Sequence, residues 1–119
     1  MPVKNATEFV VLAAFSDIQW AAGLFEGEGC VSGSRTKGHW YPRIQLAMTD
    51  LDTVERFRDV VGGGSITVRQ PAQPNRKVQY CWCQSGWAFF DYFTDLFEHR
   101  LGERRRARIA EVRAIRDAS

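Results

Sequence analysis

Two glutamates, Glu26 and Glu28, stand among three glycines in the stretch AAGLFEGEGC at residues 21–30. Ile18, Ala21, Ala22 and Phe25 recur at helical intervals just before them, so both acids fall at a helix C-terminus, which Gly27 and Gly29 are expected to end. A carboxylate there faces the negative end of the helix macrodipole, at a cost of roughly 0.3–1 kcal/mol unless something compensates. A divalent cation would compensate, and carboxylate oxygens are what hard cations bind. The two acids are two residues apart and diverge while helical geometry lasts, so at most one serves a given site within one chain. The second carboxylate has to come from elsewhere. With no cation, each is a solvated surface glutamate.

The same helix carries Gly23 and Gly27 four residues apart with Ala22 beside them. Small residues on one face let another backbone approach, either the protein's own sheet or a second helix. The cysteines offer no competing metal chemistry. Cys81 and Cys83, taken with Cys30, His39 and His99, lack the spacing of a closed zinc site, because C-x-C on a strand sends both thiols to one face.

The elements that must position these residues follow in order. Ser16 is the expected N-cap of a helix over 17–27, with Gln19 at capping-box spacing. Residues 31–48 alternate as a hairpin whose loop is expected around Gly38 to Pro42. Ile44, Leu46 and Met48 take one face, and Tyr41, Arg43 and Gln45 the other. A helix over 51–61 ends at Gly62, Gly63 and Gly64, and a second hairpin joins Ser65 to Gln70 with KVQYCWCQ across PAQPN. Ser85 is expected to cap an aromatic helix from Trp87 to Phe97, which Gly102 separates from a basic helix over 103–117. Helices alternating with hairpins imply an α+β domain, a four-stranded antiparallel sheet with helices on one face.

Length and charge agree with one domain that faces a polyanion. The chain has 119 residues and a net charge of only +2, yet no acid occurs in 29–49 or in 60–90. Those stretches contain Arg35, Lys37, Arg43, Arg69, Arg76 and Lys77, as a nucleic-acid surface requires. The alternation nominates Ser32, Ser34, Thr36, Tyr41, Arg43, Gln45, Ser65, Thr67, Arg69, Lys77, Gln79 and Cys81 for base or phosphate contacts, with Tyr80 and Trp82 turned to the core. The alternative is a merely solvated sheet face. The apolar run FVVLAAF at 9–15 is too short to span a bilayer and reads as core. An odd set of three cysteines suits a reducing, cytoplasmic, nucleoid-associated or organellar setting without secretion.

Residues 21–29, AAGLFEGEG, resemble the nine-residue motif of the LAGLIDADG homing endonucleases, with Ala21 for the first leucine and Glu26 and Glu28 for the aspartates. The resemblance covers roughly residues 16–116 and includes YCWCQSGWAFFDYF and LGERRRARI. It implies a saddle-shaped sheet in the order αββαββα. It also implies a homodimer joined through the motif helices at Ala22, Gly23 and Phe25, and a double-stranded DNA target with a long, near-palindromic site. Glu28 would be a catalytic metal ligand with the Gly27 carbonyl beside it, the second carboxylate being the partner's, and Mg²⁺ or Mn²⁺ would be the cofactor for phosphodiester hydrolysis. Asp50 is implied as the residue that orders water, although it is equally placed to cap the second helix. Arg104 stands where a lysine is usual, with Arg105 as competitor. The same scaffold resembles RNA maturases and DNA-binding regulators that do not cleave.

Overall fold

The computed structural model describes residues 14–118. Helix α1 (Phe15–Glu28) leads directly into strand β1 (Gly29–Thr36), which pairs with β2 (His39–Met48). Helix α2 (Leu51–Val61), strands β3 (Ser65–Arg69) and β4 (Gln79–Ser85), helix α3 (Trp87–Phe97), a 3-10 turn (Glu98–Arg100) and helix α4 (Glu103–Asp117) complete the chain. The sheet is antiparallel throughout in the order β1-β2-β4-β3, so the two hairpins meet through β2 and β4 and leave β1 and β3 as edges.

Strand register sorts the side chains as the alternation requires. Val31 stands opposite Ile44 and Leu46 opposite Trp82, all four buried against the helices with Phe25, Phe57, Phe89, Phe90, Phe93 and Phe97. On the other face, Ser32 pairs with Arg43, Ser34 with Tyr41, Cys30 with Gln45, and Gln45 with Cys83. One face is therefore core and the other polar. Tyr92 closes the core edge by donating its hydroxyl to the Val61 carbonyl, and burial pushes its pKa up to about 12.

Four local expectations are corrected. Helix α1 starts at Phe15 with Ala14 as N-cap, so Ser16 lies inside it and caps nothing, while Gln19 Oε1 accepts from Arg100 Nε at 2.9 Å. The first hairpin loop is only Lys37 and Gly38, whose φ values of 52° and 82° are the two positive angles a type I′ turn needs. Pro42 lies within β2, where its missing N–H faces the side on which β4 has already ended; its carbonyl accepts from Gly86 N at 3.0 Å there. Ser85 ends β4, and the N-cap of α3 is Gly86. Phe15, counted with the apolar run, is 67% exposed, and residues 9–13 of that run lie outside the described residues.

Among the described residues no helix is long and apolar enough to cross a membrane.

Candidate nucleic-acid interface and metal site

The end of α1 is shaped by a close approach. The Gly29 N–H donates to the Phe25 carbonyl, and a Cβ added at Gly29 would lie 2.2 Å from the Phe25 ring. Helix therefore becomes strand with no intervening loop, and Glu28, the last helical residue, projects where the polar sheet face begins. Gly29→Ala is expected to destabilise the fold by about 1–3 kcal/mol, the range for overpacking a close-packed core, read as a lower urea midpoint with an unchanged slope.

Glu28 is exposed, and among the described residues neither its carboxylate nor the Gly27 carbonyl accepts a hydrogen bond. Glu28 lines a cavity of about 150 Å³ with Cys30, Gln45, Leu46, Ala47, Arg69 and Cys81. Arg69 also lines a second cavity of about 450 Å³ under the β3–β4 loop, together with Arg76, Lys77 and Gln79. One arginine thus borders both the isolated carboxylate and the basic loop. The sequence reading placed Arg69 on the correct face but missed its nearness to Glu28. No local signal shows this: Arg69 of β3 stands opposite Gln79 of β4, and only that register lets its long side chain reach across β4 to the cavity of Glu28.

The other nominated residues of this face vary in accessibility. Ser34, Thr36, Tyr41, Ser65, Thr67 and Gln79 are exposed, and Ser32, Arg43 and Gln45 are half-buried. Lys77 is exposed but belongs to the loop preceding β4, not to the strand. Arg43 donates to Cys83 Sγ at 3.6 Å, and its buried Nε has no partner among the described residues. Cys81, expected to reach a base or sugar, is only 3% exposed, which leaves its thiol little surface to offer.

Two residues assigned to the subunit interface are corrected. Ala22 and Phe25 are 2% and 0% exposed and belong to the chain's own core, so their side chains cannot meet a second helix. Gly23 is exposed, and so is Gly27; a Cβ at either would meet nothing within 4 Å among the described residues. Trp20 and Leu24 share this stripe of α1 at i, i+3, i+4 and i+7 spacing but are half-buried against the core, with Arg56 stacked over the Trp20 ring, so the stripe opens outward at the two glycines.

The remaining acids and bases separate by what they hold. Asp50 occupies the N-cap position of α2, yet its carboxylate makes no cap bond and instead accepts from Thr53 Oγ1 at 2.7 Å. It does not line the Glu28 cavity; Ala47 is the last outward residue of β2 there. On α4, Arg105 donates from Nε and Nη2 to the Glu26 carbonyl at 3.3 and 3.2 Å, and Arg108 Nε donates to the Val31 carbonyl of edge strand β1 at 2.9 Å. Arg106 binds the Leu101 carbonyl, Arg113 pairs with Glu98, and Arg116 pairs with Asp91. Arg104 is exposed and has no such partner among the described residues. The basic helix is chiefly a set of staples, with Arg104 left over.

Glu26 has a task separate from that of Glu28. Its Oε1 accepts from the Gly102 N–H, the N-cap of α4, at 2.7 Å.

Two solved structures share this architecture. The group I intron-encoded homing endonuclease I-CeuI complexed with DNA matches with a TM-score of 0.62 and 13% identity, over 88% of this chain and 56% of that one. The LAGLIDADG meganuclease I-AabMI bound to uncleaved DNA matches with a TM-score of 0.60 and 21% identity, over 77% of this chain and 33% of that one. The fold is that of the LAGLIDADG homing endonucleases. The chain spans about half the length of the first and a third of the second. No protein-family model matches the chain, and no curated protein matches it by sequence.

Within this LAGLIDADG fold the motif residues 21–29 are the last turns of α1 and the handover to β1. Their free donors suit a hard cation, since the Glu28 carboxylate and the Gly27 carbonyl both present oxygen. Among the described residues, Glu28 is the one carboxylate lining its cavity, and no group of three or more His, Cys, Asp or Glu that could hold a metal ion is found.

Proposed function

We propose that the protein is a sequence-specific, double-strand DNA endonuclease that acts as a homodimer on a near-palindromic site and uses Mg²⁺ or Mn²⁺. One observation carries the reading: an exposed, unpartnered carboxylate at the end of α1 opens into a cavity shared with Gln45 and Arg69 of an acid-free sheet face. The two DNA-bound structures of the same fold support it.

Each part of the chain then has a separable job. The outward face of α1 at Gly23 and Gly27 packs against its copy, and two-fold symmetry brings two Glu28 carboxylates together and mirrors the DNA half-sites. Glu28 and the Gly27 carbonyl would hold the cation. When bound, such an ion activates water and neutralises charge on the leaving oxygen. Gln45 and half-buried Arg43 read base edges through hydrogen bonds, while Arg69, Arg76 and Lys77 neutralise phosphates. Arg104, the uncommitted base of α4, is the candidate for stabilising charge on the phosphate in the transition state, with a fork geometry that lysine lacks.

A second reading is DNA binding without cleavage. Ala47 favours it, because the side chain of the last outward residue of β2 beside Glu28 has no polar atom with which to order water. Incubation with a randomised DNA library and Mg²⁺ separates the two: cleaved products support the endonuclease, and selective binding with no cut supports a regulator. Selective retention of structured RNA over DNA would point to a maturase. Sedimentation on a selected site tests the assembly, and a monomer bound to DNA would overturn the shared metal site.

A further inference from the structure

We infer that Glu26 is a positioning residue that fixes the C-terminus of α1 to the N-terminus of α4, and so sets the placement of Glu28 relative to Arg104. This rests on the endonuclease reading proposed above. The evidence is a reciprocal pair of caps. The Glu26 side chain accepts from Gly102 N at 2.7 Å, placing a negative charge at the positive end of α4, while the Glu26 carbonyl, an orphan acceptor of the last turn of α1, takes both Arg105 bonds. Each helix thus supplies the charge that the other helix's terminus favours. The contact is close, since a Cβ on Gly102 would lie 3.0 Å from Glu26 Oε2 and the carboxylate would have to give by a few tenths of an ångström.

The position of this joint gives it a functional consequence. Glu28 lies two residues beyond Glu26, and Arg104 lies two residues beyond Gly102. The proposed metal ligand and the proposed phosphate base therefore hang from opposite sides of one joint. Buried Leu101 next to Gly102 and the Arg108 bond to Val31 extend the contact along the edge of the sheet. A free carboxylate at residue 26 would instead have been the solvated half of an acidic pair.

The test compares Glu26→Ala and Glu26→Gln with wild type on a selected DNA site. Partners that orient metal ligands typically contribute 10- to 100-fold. Glu26→Ala is therefore expected to lower single-turnover cleavage by about 10- to 100-fold while DNA affinity changes by less than about threefold. Glu26→Gln keeps an acceptor for the Gly102 N–H and should restore most of the rate. Equal cleavage by Glu26→Ala and wild type would overturn the inference, as would a loss seen only in DNA affinity or thermal stability. If wild type cuts no DNA, the endonuclease reading fails by itself and ¹⁵N relaxation decides the joint. Lower backbone order at both Glu28 and Arg104 in Glu26→Ala would support it, and unchanged order at both would overturn it.

Discussion

Glu28→Gln is expected to reduce Mg²⁺-dependent cleavage of a selected DNA site on the order of 10³-fold or more, the scale seen when a preorganised electrostatic contact to the reacting centre is removed. The substitution keeps the length and shape of the side chain and removes one negative charge from a position with no hydrogen-bond partner among the described residues, so the fold should be unaffected. DNA binding should move the other way. In the absence of divalent cation the Glu28 carboxylate opens onto the surface proposed to face phosphates, and its neutralisation should tighten binding, more so at low salt. Plasmid cleavage and gel-shift titrations at two salt concentrations read both effects. Retained cleavage by the variant would remove Glu28 from the chemistry, and weaker metal-free binding would place its carboxylate away from the DNA.

The largest expected effect on stability is at Trp82. Its side chain is fully buried and contacts Phe57 edge-on at 4.9 Å, and its indole Nε1 donates to the Gly63 carbonyl at 2.9 Å. It therefore ties β4 to the α2–β3 connection as well as filling the core. Trp82→Ala should cost about 3–5 kcal/mol through lost burial and the cavity left behind, and it would also leave the Gly63 carbonyl to find another donor. For a domain of this size that corresponds to a fall in Tm of roughly 10–20 °C, measurable by circular dichroism. Trp82→Phe should recover much of the volume but not the hydrogen bond, and so fall between the two. A Trp82→Ala protein that melts like wild type would mean that the core does not depend on this residue.

The order of elements was legible in the sequence, and so was the orientation of the sheet, because both rest on periodicity. Val54, Phe57 and Val60 followed by Gly62 gave the limits of α2, and alternation around Ile44 and Leu46 gave the faces of β2. What failed depended on competition among local signals. Ser16 and Ser85 have the chemistry of caps, but Ser16 lies inside α1 and the chain turns into α3 at Gly86, so neither hydroxyl meets a helix start. Pro42 looked like a loop residue because nothing local shows that β4 ends beside it. Lys37 has an uncommon positive φ that its residue type does not announce.

At the site, Glu28 and the polar sheet positions could be read from a motif and an alternation. Which residues are neighbours in space could not. Ala22 and Phe25 share a helix with Gly23, and only the packing of the sheet shows that they face inward. The partner of Glu26 lies 76 residues away in sequence. Asp50 and Ala47 are three residues apart, but the turn from β2 into α2 sends them to different surroundings.

The passage from α1 to β1 at Gly29 has a consequence for target choice. No loop separates the proposed subunit contact from the proposed DNA-reading surface, so there is no slack between them. In a dimer built on α1, the angle at which the two helices cross would set how far apart the two sheets stand along the duplex. A substitution at Gly23 or Gly27 that spreads the helices would then change the preferred number of base pairs between half-sites while each half-site kept its sequence.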